Sequence, residues 1–237
     1  MKPSLSRRVA AEFLGTGFLV AAVVGSGIMG ERLSGGNAAL ALLCNTLATG
    51  AALVALIFTF GSISGAHFNP VVTFSDAIEK GIDWGDVPGY IGAQVFGGIG
   101  GTFTAHLMFG LPIISISRLY RSGVSQVFSE FIATFGLLSV IWGCSRTRSN
   151  AVPFAVGLYI TAAYWFTAST SFANPAVTIA RSLSNTFSGI RPQDAVPFIF
   201  AQLIGGLAAT FAFRHLVPGL ALRAQKIVLP QSADDKG

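Results

Sequence analysis

Two short stretches carry most of the polar chemistry in an otherwise oily chain. "SGAHFNPVVTF" runs from Ser64 to Phe74, and "SFANPAVTIAR" from Ser171 to Arg181. Each centres on an Asn-Pro pair, Asn69-Pro70 and Asn174-Pro175. An asparagine amide accepts and donates hydrogen bonds, and at a helix N-cap its oxygen satisfies first-turn amides. Proline is suited to the first helical position, where its missing N–H would have had no partner. Two acids, Glu12 and Glu130, lie inside apolar runs. A carboxylate at membrane depth is costly and is kept for pairing or for function. Ser64, His67 and Glu12 supply the residue types of a hydrolase triad. The second acid, Glu130, has no histidine at the matching place, so the duplicated pattern argues against catalysis.

Composition sets the medium in which this chemistry works. Hydrophobic residues make up 52% of the 237-residue chain and charged residues 11%, against roughly 25% charged in ordinary soluble domains. So few charges cannot cover a soluble surface, and the chain reads as an all-α membrane protein. Its basic first residues precede an apolar run too long for a signal-peptide core, so that run reads as a first span. Cys44 and Cys144 lack metal-ligand spacing and read as free packing thiols; no cofactor or metal site is expected. The net charge of +5 is spread over loop ends, which speaks against nucleic acid as a partner.

A span needs about 20 apolar residues. Six windows qualify, at about 9–30, 37–60, 88–109, 125–144, 151–172 and 196–217. The Asn-Pro segments follow the second and fifth windows, each leading into a helical pattern too short to cross. An even number of spans puts both termini on one side. That side would hold Lys2, Arg7, Arg8, Lys80, Arg146, Arg148, Arg214, Arg223, Lys226 and Lys236, against Arg32, Arg118, Arg121, Arg181 and Arg191 opposite. The excess places both termini in the cytoplasm.

The chain also repeats itself. "AEFLGTGF" around Glu12 resembles "SEFIATFG" around Glu130; "IGAQVFGGIGGTF" around Gln94 resembles "IFAQLIGGLAATF" around Gln202; "NPVVT" resembles "NPAVT". Three ordered pairs, with three spans per half, imply an inverted repeat. Residues 1–237 then form a single domain, with repeats at about 9–109 and 125–217 and a tail over about 218–237. Two half-helices would enter from opposite faces and meet at the midplane. Irregular backbone survives there only if it is buried in protein or lines a wet cavity. The glycines of "FGGIGG" and "IGGLAA" read as helix-packing positions. His106 and His215 read as interfacial.

On these motifs the chain resembles the aquaporin and aquaglyceroporin family over nearly its whole length. The resemblance implies an aquaporin-like hourglass of six transmembrane helices and two re-entrant half-helices, assembled as a homotetramer in the lipid bilayer. It implies that Asn69 and Asn174 donate hydrogen bonds to the permeant molecule. Carbonyls of Gly65, Ala66 and His67, and of Thr170, Ser171 and Phe172, would line the pore, with Glu12 and Glu130 pinning the loops. By family spacing the outer constriction comprises Thr49, Ala162, Ser171 and Val177. The family normally has arginine at the position of Val177, and Val71 stands where alanine is usual. With no large aromatic or charge in that set, a solute pore is expected rather than a strict water pore. Cation exclusion would then rest on the half-helix N-termini, each about half a positive charge. Arg181 is expected either to snorkel at the interface or to reach back over the outer mouth. The pattern is similar to that of bacterial aquaglyceroporins from arsenic-resistance operons. That implies passage of small neutral solutes (arsenite as As(OH)3, methylated arsenicals, glycerol-like polyols) and water across the inner membrane. A water-selective or closed structural relative, and an active transporter, are the alternatives.

Overall fold

The computed structural model describes residues 3–147 and 149–216. Eight α-helices lie among them. They are α1 (Leu5–Leu33), α2 (Ala38–Ser64), α3 (Pro70–Ile78), α4 (Val87–Met108), α5 (Val124–Thr147), α6 (Val152–Phe166), α7 (Pro175–Ser182) and α8 (Pro192–Leu216). Six are long and two, α3 and α7, are half-length, following the Asn-Pro pairs. Four of them, α1, α2, the Val124–Ser145 part of α5, and α8, are long and apolar enough to cross a bilayer. The other two long helices depart for physical reasons. The glycines of α4 dilute its hydropathy. α6 stops at Phe166, short of the expected 172, because Thr167 takes up extended backbone and residues 168–174 form the loop into α7.

Packing follows the repeat. α1 lies against α2 and α4, and α5 lies against α6 and α8 in the same way. α2 meets α6 across the centre. The half-helices cross over: α7 packs on α4, α3 packs on α8, and the two touch each other. Each short helix thus packs against long helices of both halves. Arg8 near the start of α1 pairs with Asp86 at 2.8 Å. Arg214 near the end of α8 pairs with Glu79 at 2.5 Å. Asp86 and Glu79 flank the α3–α4 connection, so the first and last helices begin and end on one face of the molecule.

Small residues let the crossings close. A Cβ on Gly97 would overlap the Phe13 carbonyl, and one on Gly101 the Gly17 carbonyl. Gly205 stands in the same relation to Phe131 in the second repeat. These contacts are backbone to backbone, so no flexible side chain can yield. Gly101→Val should therefore destabilise the fold by about 1–3 kcal/mol or more. A lower unfolding temperature in detergent is the expected result, and an unchanged one would contradict this packing. Cys44 and Cys144 are free thiols. His106 is not interfacial: it is fully buried, with Nδ1 2.9 Å from the Ile113 carbonyl and Nε2 2.8 Å from Ser184 Oγ.

Candidate functional site: an axial channel

The two Asn-Pro segments meet at the centre. Asn69 caps α3, its side-chain oxygen accepting from the Val71 amide at 2.9 Å. Asn174 caps α7, accepting from Ala176 and Val177 at 3.0 and 3.3 Å. Each side-chain NH2 then crosses to the opposite loop. Asn69 donates to the Ala173 carbonyl at 2.8 Å, and Asn174 to the Phe68 carbonyl at 2.7 Å. The two short helices are thus tied cap to cap. An amide NH2 carries two donors, so one crossing bond leaves a second hydrogen on each asparagine. Both residues line a cavity that follows the axis.

The loops that feed these caps are held in unusual backbone. Ala66 and Phe68 in the first, and Thr170, Ser171 and Ala173 in the second, all have positive φ between 48° and 62°. Such geometry costs an L-residue about 1–2 kcal/mol and persists only where the surroundings over-determine it. Two buried carboxylates provide that hold. Glu12 accepts from Ser64 Oγ at 2.6 Å, from the amides of His67 and Phe68 at 3.0 and 2.7 Å, and from Gln94 at 2.8 Å. Glu130 accepts from the amides of Phe172 and Ala173 at 2.9 and 2.8 Å and from Gln202 at 2.6 Å. The glutamines reach further. Gln94 donates to Thr73 Oγ1 and Gln202 to Thr178 Oγ1, both at 2.9 Å. Thr73 and Thr178 in turn donate to the carbonyls of Asn69 and Asn174. One network is built twice. The threonines were present in the "NPVVT" and "NPAVT" repeat, but their role needed the fold.

This geometry also disposes of the hydrolase triad. Ser64 bonds directly to Glu12, with no imidazole between them. The His67 ring instead meets Thr73 Oγ1 at 3.1 Å and Asp76 at 3.4 Å.

Of the loop residues expected to line the pore, Ala66, His67, Ser171 and Phe172 border the axial cavity, with Thr170 bordering the vestibule outside it. Gly65 borders neither cavity; with φ 91° it caps the end of α2. The rest of the lining is largely aliphatic, with Leu19, Val23, Leu53, Ile57, Val72, Leu137, Ile141, Val152, Val156 and Ile160.

The expected outer constriction needs one correction. Thr49, Ser171 and Val177 line the cavity, but Ala162 is exposed and does not. Successive helical residues turn by about 100°. Val156, Ile160 and Tyr164 share the inner face of α6, while Ala162 falls on the exposed stripe of Phe154, Leu158 and Trp165. Family spacing pointed to this helix but could not set its rotation. Tyr164 takes the place instead, its hydroxyl 3.3 Å from Thr49 Oγ1. The mouth therefore does contain a large aromatic, and the expectation of a constriction without one is overturned. Ser171 Oγ is buried there without a protein partner, free to meet a permeant molecule.

Arg181 is also not where an interfacial snorkelling residue would be. It is 1% exposed and borders both the axial cavity and the vestibule. Its Nε donates to the Ser188 carbonyl, and its guanidinium lies over the Phe172 ring, 3.4 Å from the centroid. Arg121, not singled out from the sequence, stands over the same ring at 5.1 Å. It donates to the carbonyls of Gly189 and Ser169 at 2.8 and 3.1 Å.

Comparison with known proteins agrees with this architecture. The chain matches the family model "Major intrinsic protein" over residues 1–152 and 144–234. It is 54% identical to Aquaglyceroporin AqpS of Rhizobium meliloti (strain 1021), over 90% of this chain and 91% of that protein. It is 31% identical to Aquaporin NIP6-1 of Arabidopsis thaliana, over 85% of this chain and 67% of that protein. The X-ray structure of the aquaglyceroporin from Plasmodium falciparum superposes with a TM-score of 0.73 at 24% identity, covering 92% of this chain and all of that one. Doubled caps, doubled carboxylate networks and crossed half-helices thus coincide with a family match along the described chain, and the protein belongs to the major intrinsic protein family.

Proposed function

We propose that the protein is a passive channel for small neutral solutes: glycerol-like polyols, arsenite as As(OH)3, methylated arsenicals, and water. The observation that carries this reading is the mixed lining of the axial cavity, which brings strained loop residues and two asparagines together with many aliphatic side chains. Moving one hydroxyl from water into hydrocarbon costs about 4–8 kcal/mol, so a solute with three hydroxyls crosses lipid slowly. Loop carbonyls accept its hydrogens in turn, and the second N–H of Asn69 and Asn174 donates at the centre. The apolar wall keeps any one position from binding deeply, as conduction requires. Glu12 and Glu130 act by holding the loops rather than by touching the solute.

The resemblance to arsenic-resistance aquaglyceroporins, and the 54% identity to AqpS, support the arsenical part of this reading. By the same reading residues 1–237 form one channel domain of two inverted repeats. The channel assembles as a homotetramer in the bacterial inner membrane with both termini cytoplasmic. Half of the basic residues behind that orientation, Lys2, Arg148, Arg223, Lys226 and Lys236, lie outside the described residues, as does the tail. Proteoliposomes shrunk in a glycerol or arsenite gradient should reswell several-fold faster than empty vesicles, linearly with gradient and without a coupling ion. A water-only response, or saturating ion-coupled flux, would contradict the proposal.

A further inference from the structure

Val177 leaves the usual arginine position of the outer constriction without charge, yet the mouth is not uncharged. Arg181 follows Val177 by four residues on α7, so both side chains share one face of the half-helix. Its guanidinium is locked by the Ser188 carbonyl on one edge and the Phe172 ring on one face. Ser188 is itself anchored, its Oγ donating to the Val23 carbonyl of α1 at 3.0 Å, and Phe172 is braced edge-on by Phe198 at 5.4 Å. Among the described residues no carboxylate lies within ion-pair distance of Arg181 or of Arg121. Glu130, the acid of the same repeat, is engaged by loop amides and Gln202, and Asp194 by Arg191 at 2.8 Å. Two positive charges therefore stand at the junction of vestibule and pore with no ion-pair partner, Glu130 acting on them only from a distance.

We propose that Arg181 is the charge filter of this channel. It excludes small cations from the outer mouth and offers N–H donors to oxygen atoms of entering solutes, one helical turn beyond the empty position at Val177. The inference rests on the channel reading above. A guanidinium held by backbone and ring keeps its place without a carboxylate in contact with it, and in a narrow low-dielectric passage its field acts strongly. Val177 meanwhile leaves the lumen beside Ser171 and Tyr164 wider than an arginine there would.

Urea and guanidinium ion test this directly, being nearly the same planar shape with and without a fixed charge. In proteoliposomes the wild type should pass glycerol and urea and exclude guanidinium. Arg181→Gln should raise the guanidinium-to-urea flux ratio at least about tenfold, and Arg181→Lys should restore a low ratio. A second variant, Ser171→Asp, leaves Arg181 in place but sets a neutralising carboxylate in the same wall, and should raise the ratio as well. Glycerol flux reports separately whether each protein is a working channel. Absence of glycerol flux in the wild type would overturn the channel reading and this inference with it. Glycerol flux with guanidinium excluded equally by the wild type and both neutralising variants would overturn the inference alone. If Arg181→Gln yields no channel, the Ser171→Asp result decides.

Discussion

Glu12→Leu is expected to abolish glycerol flux. The side chain is fully buried and accepts four hydrogen bonds, from Ser64, two loop amides and Gln94. Leucine fills a similar volume but leaves those donors without an acceptor. A buried donor deprived of its partner costs about 1–3 kcal/mol, and the four share one network, so about 3–5 kcal/mol in total is a conservative expectation. The loss falls on a loop whose Ala66 and Phe68 already sit at positive φ. The first loop should relax, its carbonyls turn from the axis, and the Asn174 bond to Phe68 break. Glu130→Leu should act alike on the second loop, because its bonds to two loop amides and a glutamine repeat those of Glu12. The neutral isostere Glu12→Gln keeps one acceptor oxygen and should lose less. Unfolding midpoints in detergent and glycerol reswelling check this together. A Glu12→Leu protein with wild-type flux would show that the carboxylate does not hold the pore.

Val177→Arg is expected to close the channel to large solutes first. Val177 lines the cavity together with Thr49, Tyr164 and Ser171, and the Thr49–Tyr164 contact ties α2 to α6 on that level. An arginine adds a long side chain to the lumen and a second guanidinium four residues from Arg181, where like charges repel. Glycerol and methylated arsenicals should fall by about tenfold or more, equivalent to about 1.4 kcal/mol at the barrier, with water falling less. Stopped-flow comparison of water with glycerol, on protein shown to be folded by its unfolding midpoint, gives the ratio. Equal loss of all solutes would argue that Val177 is not a filter position.

The sequence disclosed what repeats and what punctuates. The Asn-Pro pairs announced two helix starts, and the ordered echoes around Glu12 and Glu130, and around Gln94 and Gln202, announced the inverted halves. Those signals are local and strong because proline at a first helical position and a buried acid each have few physical explanations. Rotation of a helix about its axis was much less legible. Nearly every residue of α6 is apolar on both faces, so hydrophobic periodicity could not say that Tyr164 turns inward and Ala162 outward. Burial of Arg181 was hidden for a related reason. Its partners are a backbone carbonyl at Ser188 and a ring at Phe172, and neither announces itself as an arginine partner in a sequence. The burial of His106 is hidden in the same way, since its acceptor and its hydroxyl partner come from residues 113 and 184. The early end of α6 reflects a loop that folds through positive φ at three residues, Thr170, Ser171 and Ala173, which composition does not advertise.

Everything functional here depends on the two stub helices abutting at mid-membrane with their caps facing an open axis. The most direct measurement is an electron cryomicroscopy map of the protein in lipid nanodiscs, at a resolution that shows side chains and bound water. The map should show α3 and α7 nose to nose, with the Asn69 and Asn174 amides within hydrogen-bond distance of Ala173 and Phe68 and a file of solvent density between them. Either short helix lying outside the bilayer, or a filled and waterless axis at the asparagines, would contradict the account.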